Sequence, residues 1–455
     1  MLTNWVPILI VHTLLLGGIG VASAAEVQGP RLPQQDDVSV HEDEQEKAPA
    51  KEFIDDDGHP AEHALKSLPT KSEYTVIPLP SFSYNRNERY WIGAITPILK
   101  TDSKGNIRDI WAPQYLFNPL VGHGGSLSYY GYPSDNEQYR ASVWYSEKVD
   151  RGIDFGYKNV AAGGGRYILA ADFAAFKNPF ARFFGFGDRT TESQETNYTS
   201  RELLVKLAVG LNLTPDLSVM WTERLRIVRV DEGVVSSLPQ IRKLFAAIPG
   251  IQGSQVLGHG LVLRYDTRDS QLIPTKGTYV NVSAEFNQNV QSGDENQWGS
   301  VTLDARHLIP HASDRMVLVS RFFFSGVFGQ IERKGTELGV PFYEQPTLGG
   351  EDTLRAFGHN RYIGSWAVLI NLEERVRVLD KTIFDHDIRL ELAPFLDIGR
   401  VGRTGVDITR LLFTNVQVNP GIGLRLLAMP SVVGRFDVAY GKDGMNAFVG
   451  LDYPF

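Results

Sequence analysis

The feature that most limits the fold of this 455-residue chain is an alternation of apolar and polar side chains, repeated through residues 75–455. In the run 388–397 (IRLELAPFLD), isoleucine and leucine take one face while arginine, glutamate and aspartate fall on the other. The run 432–440 (VVGRFDVAY) alternates in the same way. Successive side chains of a strand point to opposite faces, so a period of two predicts β-strands with one apolar and one charged face.

Two kinds of all-β fold can use such strands: a soluble sandwich or propeller, and a membrane barrel with an apolar lipid face and a polar lumen. The runs approach the ten residues that a tilted membrane strand needs, and their second face is often charged, as a wet lumen allows. The pattern therefore favours a transmembrane antiparallel β-barrel. Division of the chain at its turns gives 16 to 18 strands, and we predict 16, an even number being expected of a single-chain bacterial barrel.

The last alternating run, MNAFVGLDYPF, places Met445, Tyr453 and Phe455 on one face. An aromatic C-terminal residue that closes such a strand is typical of bacterial outer-membrane barrels. We therefore interpret Tyr453 and Phe455 as a C-terminal barrel signal and predict integral insertion in the outer membrane.

Two segments precede the predicted barrel domain. Residues 1–25 are apolar, lack charged side chains and end in small residues, which indicates a secretory signal peptide; a retained membrane anchor is the alternative. Residues 26–74 contain thirteen acidic and five basic side chains, a composition that predicts a disordered, acidic periplasmic segment. The chain has no cysteine, which excludes disulfides and a lipid-modified cysteine.

The sequence offers little support for catalysis. His59, Glu62 and His63 match an inverted zinc-protease spacing, but they lie in the acidic segment without an obvious third ligand, so we predict no metal site. No phosphate-binding loop, dinucleotide motif or nucleophile elbow is present, and no basic stripe suggests nucleic acid. We predict a non-enzymatic protein without a cofactor.

One long segment between strands carries an arginine among glycines, LGGEDTLRAFGHNRY, and this arginine is Arg355. On the next two predicted strands, Glu373 and Asp397 fall on the charged, lumenal face. Neighbouring strands lie about 4.8 Å apart, and the guanidinium fork can bind two carboxylates at once. We therefore predict that Arg355 latches a lumen-inserted loop to these two acids, either for function or only for stability.

The chain resembles the BamA/TamA outer-membrane assembly family. The resemblance rests on an apolar-arginine-small-aromatic motif ending at Phe357 after the pair Gly349 and Gly350, and on the order of further motifs across residues 75–455. These are FFGFGDRT (183–190), RYDTRDSQLIPTKGTYV (264–280), NLEERV (371–376), PFLDIGRVG (394–402) and NPGIGLRL (419–426). The resemblance implies an extracellular loop folded into the lumen. Gly358 is a third glycine that we assign to this loop.

The chain departs from the family pattern in two places. The family's usual glycine after the arginine is Ala356 in this chain, which disfavours a positive φ there and predicts a loop that sits differently or less tightly. The segment between the signal and the barrel is too short and polar for the family's periplasmic transport-associated domains. The resemblance implies insertion or translocation of proteins at the outer membrane. The alternative is a passive or plugged pore, or a structural barrel, that anchors or exports a partner.

The resemblance and the composition together define the expected partners. These are outer-membrane lipid, together with either outer-membrane protein substrates or a separate periplasmic protein.

The acidic segment leads to a first testable prediction. Because it is poor in aromatic residues and strongly charged, deletion of residues 26–72 should leave the barrel able to fold. The measurement is the shift in apparent mass on a gel between unheated and heated protein. Loss of that shift would mean that the segment is part of the folded barrel.

Overall fold

A computed structural model describes the chain from residue 73 onwards. The described ranges are 73–76, 78–102, 107–134, 136–270, 273–291, 296–312, 315–329, 339–383, 386–403, 415–428, 432–451 and 453–455. The predicted signal peptide, almost all of the acidic segment and the zinc-like triplet at 59–63 lie outside the described residues.

The described residues form 22 β-strands. The first eleven are β1 Glu73–Val76, β2 Leu79–Asn85, β3 Arg89–Ile95, β4 Ile98–Thr101, β5 Ile107–Asn118, β6 Gly122–Ser134, β7 Glu137–Ser146, β8 Arg151–Ala161, β9 Tyr167–Phe183, β10 Thr196–Asn212 and β11 Leu217–Glu232. The others are β12 Ser254–Asp266, β13 Gly277–Asn289, β14 Asn296–His311, β15 Met316–Gly329, β16 Thr347–Leu348, β17 Tyr362–Ile363, β18 Trp366–Ile383, β19 His386–Gly402, β20 Gln417–Ala428, β21 Val432–Gly441 and β22 Gly444–Leu451.

Helical structure is limited to single turns within connecting loops. These turns are α1 Ala162–Gly165, α2 Ile241–Leu244 and the 3₁₀ turns Glu192–Gln194 and Phe342–Glu344. Among the described residues, no helix is long and apolar enough to cross a membrane.

Twenty of the strands belong to one antiparallel sheet. Most of them pair with the strands next to them along the chain, whereas β1 pairs with β4, β3 also pairs with β5, and β15 pairs with β18. β1 and β2 are two successive segments of one strand position in the sheet, here called a line, and this line is interrupted at Pro78. β3 and β4 likewise form one line, which is interrupted at Pro97. Proline lacks the N–H that a ladder hydrogen bond needs, which favours a break at each of these positions. Counting each line once, the described ladders contain 18 strand positions, two more than the predicted 16 and at the limit of the 16 to 18 range.

The fold class predicted from the alternation is confirmed: the protein is an all-β, antiparallel barrel. On β21, Phe436 and Tyr440 are exposed on the outside, while Arg435 and Asp437, on either side of Phe436 in the sequence, are buried. The charged side chains of this strand therefore face the lumen. β18 and β19 pair with Asn371 opposite Asp397, which places two polar side chains next to each other on the inner wall.

The two ends of the barrel differ in the length of their connections. We call the end with the connections after β9, β11 and β15 the loop end, and the opposite end, where β1 begins and β22 finishes, the terminal end. At the loop end, these three connections meet in one apolar cluster, here called the aromatic cap, in which Phe183 and Phe342 are fully buried. Edge-to-face aromatic contacts hold Phe183 against both Phe342 and Phe245.

Candidate functional site

The segment between β15 and β18 turns back into the lumen, and its residues 339–365 are here called the lumenal loop. Gly349 and Gly350 adopt φ values of 112° and 114°, which side chains with a Cβ rarely take. A Cβ on Gly358 would lie 2.2 Å from Oδ1 of Asn87, so the third predicted glycine permits close approach to the β2–β3 turn. The tip is closed by a hydrogen bond from Gly350 N to Phe357 O at 3.1 Å.

Arg355 lies at the centre of this loop and is buried. Its Nη1 donates to Glu373 Oε2 at 2.7 Å, and its Nη2 and Nε donate to the two carboxylate oxygens of Asp397 at 2.8 and 3.0 Å. The main-chain N–H of Arg355 also donates to Asp397, at 3.1 Å. The structure thus brings together the three residues that the sequence singled out, with the guanidinium bridging two strands in the fork geometry that arginine favours.

Three further charged residues complete a group that we call the ionic cluster: Arg375, Arg425 and Asp437. Arg375 Nε and Arg425 Nη2 each donate to Glu373 at 3.1 Å, and Arg425 Nη1 donates to Asp437 at 2.7 Å. With three arginines and three carboxylates, the cluster is formally neutral although it is buried. Buried charges are tolerated only when paired in this way. Alternation placed Arg375 and Asp437 on the lumenal face but did not assign them to the Arg355 group.

The electrostatics of the loop keep its ions charged. Burial alone would lower the pKa of the Arg355 guanidinium, but Asp397 and Glu373 outweigh burial and raise that pKa above its ordinary value. Burial likewise favours protonation of Glu344, yet Arg224 and Arg226 hold its pKa below the usual range. The surrounding charges therefore favour the ionised forms of both loop side chains.

Aromatic packing surrounds these charges. The guanidinium carbon of Arg355 lies 3.3 Å from the ring centroid of Phe395. Phe357, another predicted site residue, is fully buried and contacts Tyr362 edge to face with centroids 5.0 Å apart. Phe357 also belongs to an apolar cluster with Leu348. The tip of the loop is thus held by apolar burial as well as by charge.

Other anchors along the lumenal loop were not predicted. Glu344 binds Arg224 at 3.0 Å and Arg226 at 3.1 Å on β11. Nearer the tip, Arg361 binds Asp443 in the β21–β22 turn at 2.5 Å. Arg435 on β21 pairs with the loop acids Glu351 and Asp352. The partners in each pair lie far apart in the sequence. Alternation can place the strand residues among them on the inner face, but it cannot predict which of them pair.

The tip of the loop also contacts residues from both the beginning and the end of the barrel sheet. Asn446 on β22 donates its amide to the carbonyls of Arg355 and Phe357, each at 3.2 Å. Asn87 in the β2–β3 turn donates to the carbonyl of His359 at 3.1 Å. β2 lies beside β22, yet in the described part of the chain no ladder register joins them. We call this boundary the seam, and the loop tip spans it.

Ala356, which replaces the glycine of the related motif, packs inside the tip of the loop. It does not adopt a positive φ and is fully buried. A Cβ built on Gly441 would lie 2.7 Å from the Cβ of Ala356, so a glycine on β21 makes room for the alanine methyl group. The expectation of a looser loop is therefore wrong for the position of Ala356.

The C-terminal residues depart from the prediction. β22 ends at Leu451, and Phe455 is buried inside, with its ring 5.7 Å from the guanidinium of Arg321 and 5.6 Å from that of Arg355. Tyr453 lies under the guanidinium of Arg375 at 3.4 Å. The expectation that Tyr453 and Phe455 lie on one face with Met445 is wrong, since Met445 is exposed and Phe455 is buried. Pro454 cannot donate to a ladder, and lumenal arginines attract both rings.

The profile of the Omp85 superfamily domain matches residues 134–447. The chain belongs to the Omp85 superfamily. The predicted relationship to the BamA/TamA family is thereby confirmed, and with it the location: this Omp85 protein is an integral β-barrel of the bacterial outer membrane.

Solved structures with similarity to this Omp85 chain have low sequence identity to it. BamA from Haemophilus ducreyi lacking POTRA domains 1–3 is 13% identical with a TM-score of 0.46, over 84% of this chain and 71% of that one. CdiB from Escherichia coli is 13% identical with a TM-score of 0.46, over 84% and 63%. CdiB from Acinetobacter baumannii is 12% identical with a TM-score of 0.41, over 84% and 60%.

The chain therefore spans less than two thirds of either CdiB. Comparison with curated proteins gave no match. Among the described residues, no group of three or more histidine or acidic side chains is placed to hold a metal ion.

Proposed function

We propose that this Omp85 barrel assists the insertion or translocation of polypeptides at the outer membrane, with the lumenal loop acting as a latch on the seam. The observation that carries the proposal is the position of the loop tip, which Asn446 holds from one side of the seam and Asn87 from the other. Arg355 fixes the same tip to the inner wall through Glu373 and Asp397. Release of the tip would remove contacts from both sides of the seam together.

The seam provides the physical means for handling another chain. An unpaired strand edge exposes N–H and C=O groups that can pair with an incoming strand, which is the basis of β-augmentation. The remaining strands keep continuous ladders, so separation at this boundary would cost fewer hydrogen bonds than separation elsewhere. The partners implied are outer-membrane lipid and an unfolded or extended polypeptide, with no enzymatic step. We propose the barrel domain as residues 75–455, after a signal peptide and an acidic segment.

A plugged structural barrel is the second candidate, and one observation favours it. The aromatic cap and the lumenal loop together fill the loop end, with Phe342, Phe357 and Arg355 buried. A barrel filled in this way could anchor a partner without moving its seam. This candidate and the proposed function differ in whether the protein changes the folding of another chain.

The proposed function is tested with purified protein in liposomes. We expect it to accelerate the insertion of a denatured outer-membrane barrel added from outside, as measured by protection of that barrel from protease. Single-channel recordings on the same liposomes should show a largely closed lumen because the cap and loop fill it. Unchanged insertion kinetics relative to liposomes that carry an unrelated barrel would contradict the proposal and favour the plugged barrel.

A further inference from the structure

The chain turns inward after its last strand and packs beneath the ionic cluster. Phe455 belongs to an apolar cluster with Leu308 of β14 and with Val317 and Val319 of β15. These strands lie several positions away from β22 around the wall, so residues 453–455 cross part of the lumen at the terminal end. We call these three residues the C-terminal strap.

Specific polar contacts hold the strap in addition to apolar packing. The hydroxyl of Tyr453 donates to Glu391 Oε2 on β19 at 2.8 Å. Arg375 places its guanidinium 3.4 Å from the centroid of the Tyr453 ring and donates from Nη2 to the main-chain oxygen of Phe455 at 3.5 Å. A further donation from Arg375 Nη1 reaches Pro274 O at 3.3 Å. Arg375 therefore uses two of its three nitrogens and its flat face outside the ionic cluster.

The same arginine connects the strap to the latch. Its remaining nitrogen, Nε, donates to Glu373, whose other carboxylate oxygen binds Arg355 at 2.7 Å. Tyr453 and Phe455 thus fix the position of Arg375, and Arg375 helps to fix the carboxylate that receives Arg355. A planar guanidinium with all three nitrogens engaged has little freedom to turn, so loss of the strap would loosen its bond to Glu373.

We propose that the C-terminal strap is an autoinhibitory contact that keeps the lumenal loop latched while the end of β22 is docked inside the barrel. This inference rests on the proposed function, because it assigns a control to the same latch. β22 forms one side of the seam and ends at Leu451, and the strap begins two residues later in the sequence. Undocking of the strap therefore weakens the support of Glu373 and frees the end of the seam strand in one movement.

The test measures how readily the tip of the lumenal loop is released from its latched position. Arg361 is buried beside the latch, so tryptic cleavage after Arg361 reports release of the tip. We expect Phe455→Ala to speed this cleavage by about tenfold, which corresponds to about 1.4 kcal/mol at 25 °C. Tyr453→Phe, which loses only the hydroxyl bond to Glu391, should give a smaller increase. Met445→Ala, at an exposed position on β22, is the matched control and should cleave at the wild-type rate.

Two results would contradict the proposed role of the strap. In the first, Phe455→Ala still shows the gel shift on heating but is cleaved at the wild-type rate. In the second, Met445→Ala is cleaved as fast as Phe455→Ala. If Phe455→Ala does not fold, Tyr453→Phe decides, since cleavage equal to that of the Met445→Ala control then excludes the strap. Arg355→Ala is measured in parallel. If Arg355→Ala is cleaved fast while the strap variants are cleaved at the wild-type rate, the proposed role of the strap is wrong but that of the latch stands. If Arg355→Ala is itself cleaved slowly, the proposed role of the latch is wrong.

Discussion

Replacement of Arg355 by alanine should release the lumenal loop while the barrel stays folded. Glu373 and Asp397 would lose a buried counter-charge, and breaking a buried pair from one side typically costs about 3 to 5 kcal/mol. A loss of about 3 kcal/mol corresponds to roughly a hundredfold larger open population, and tryptic cleavage after Arg361 should accelerate by that factor. The gel shift on heating should persist because the strand ladders do not depend on the loop.

Two variants sharpen this result. Arg355→Lys should restore slow cleavage only in part, because an ammonium group cannot engage Glu373 and Asp397 in the fork geometry. Arg140→Ala is the matched control, since Arg140 pairs with Asp154 and Asp172 on other strands without a bond to the loop. If Arg355→Ala is cleaved as slowly as wild type and the control, Arg355 is not a latch.

A covalent link across the seam should abolish the proposed insertion activity without affecting folding. Arg86 donates to Asp443 O at 3.1 Å, so the turns on the two sides of the seam are neighbours at the loop end. The chain lacks cysteine, and therefore Arg86→Cys with Lys442→Cys introduces the only two thiols. Joining them with a cleavable bifunctional maleimide should slow insertion by roughly tenfold or more, because a closed edge cannot pair with an incoming strand.

Cleavage of the spacer should restore the activity, which separates the effect of the link from that of the substitutions. His123→Cys on β6 with Glu147→Cys, directly after β7, provides the matched link, since β6 and β7 are already paired. Full activity with the seam closed would show that insertion, if present, does not use this boundary. Equal loss from both links would indicate a general effect of the reagent.

The number of strands could be predicted from the sequence only as a range. The alternation predicted the fold class, but it did not predict that the first two lines of the sheet are each divided into two segments, at Pro78 and Pro97. The described ladders contain 18 strand positions, against the 16 predicted. The same alternation placed Glu373 and Asp397 on the inner face, where the structure describes them beside Arg355. Their role as a latch stays a prediction.

The sequence by itself determined which side of each strand faces lipid and which faces the lumen, because that choice repeats every two residues along one strand. Only the tertiary structure decided which lumenal charges meet. Arg425 joins Glu373, and Arg361 joins Asp443, because of the order of the strands around the wall and the path of the loop. The inward turn of Phe455 is decided in the same way. Its apolar neighbours come from β14 and β15 and its cationic neighbours from β15 and the lumenal loop, and no local pattern records contacts between such distant segments.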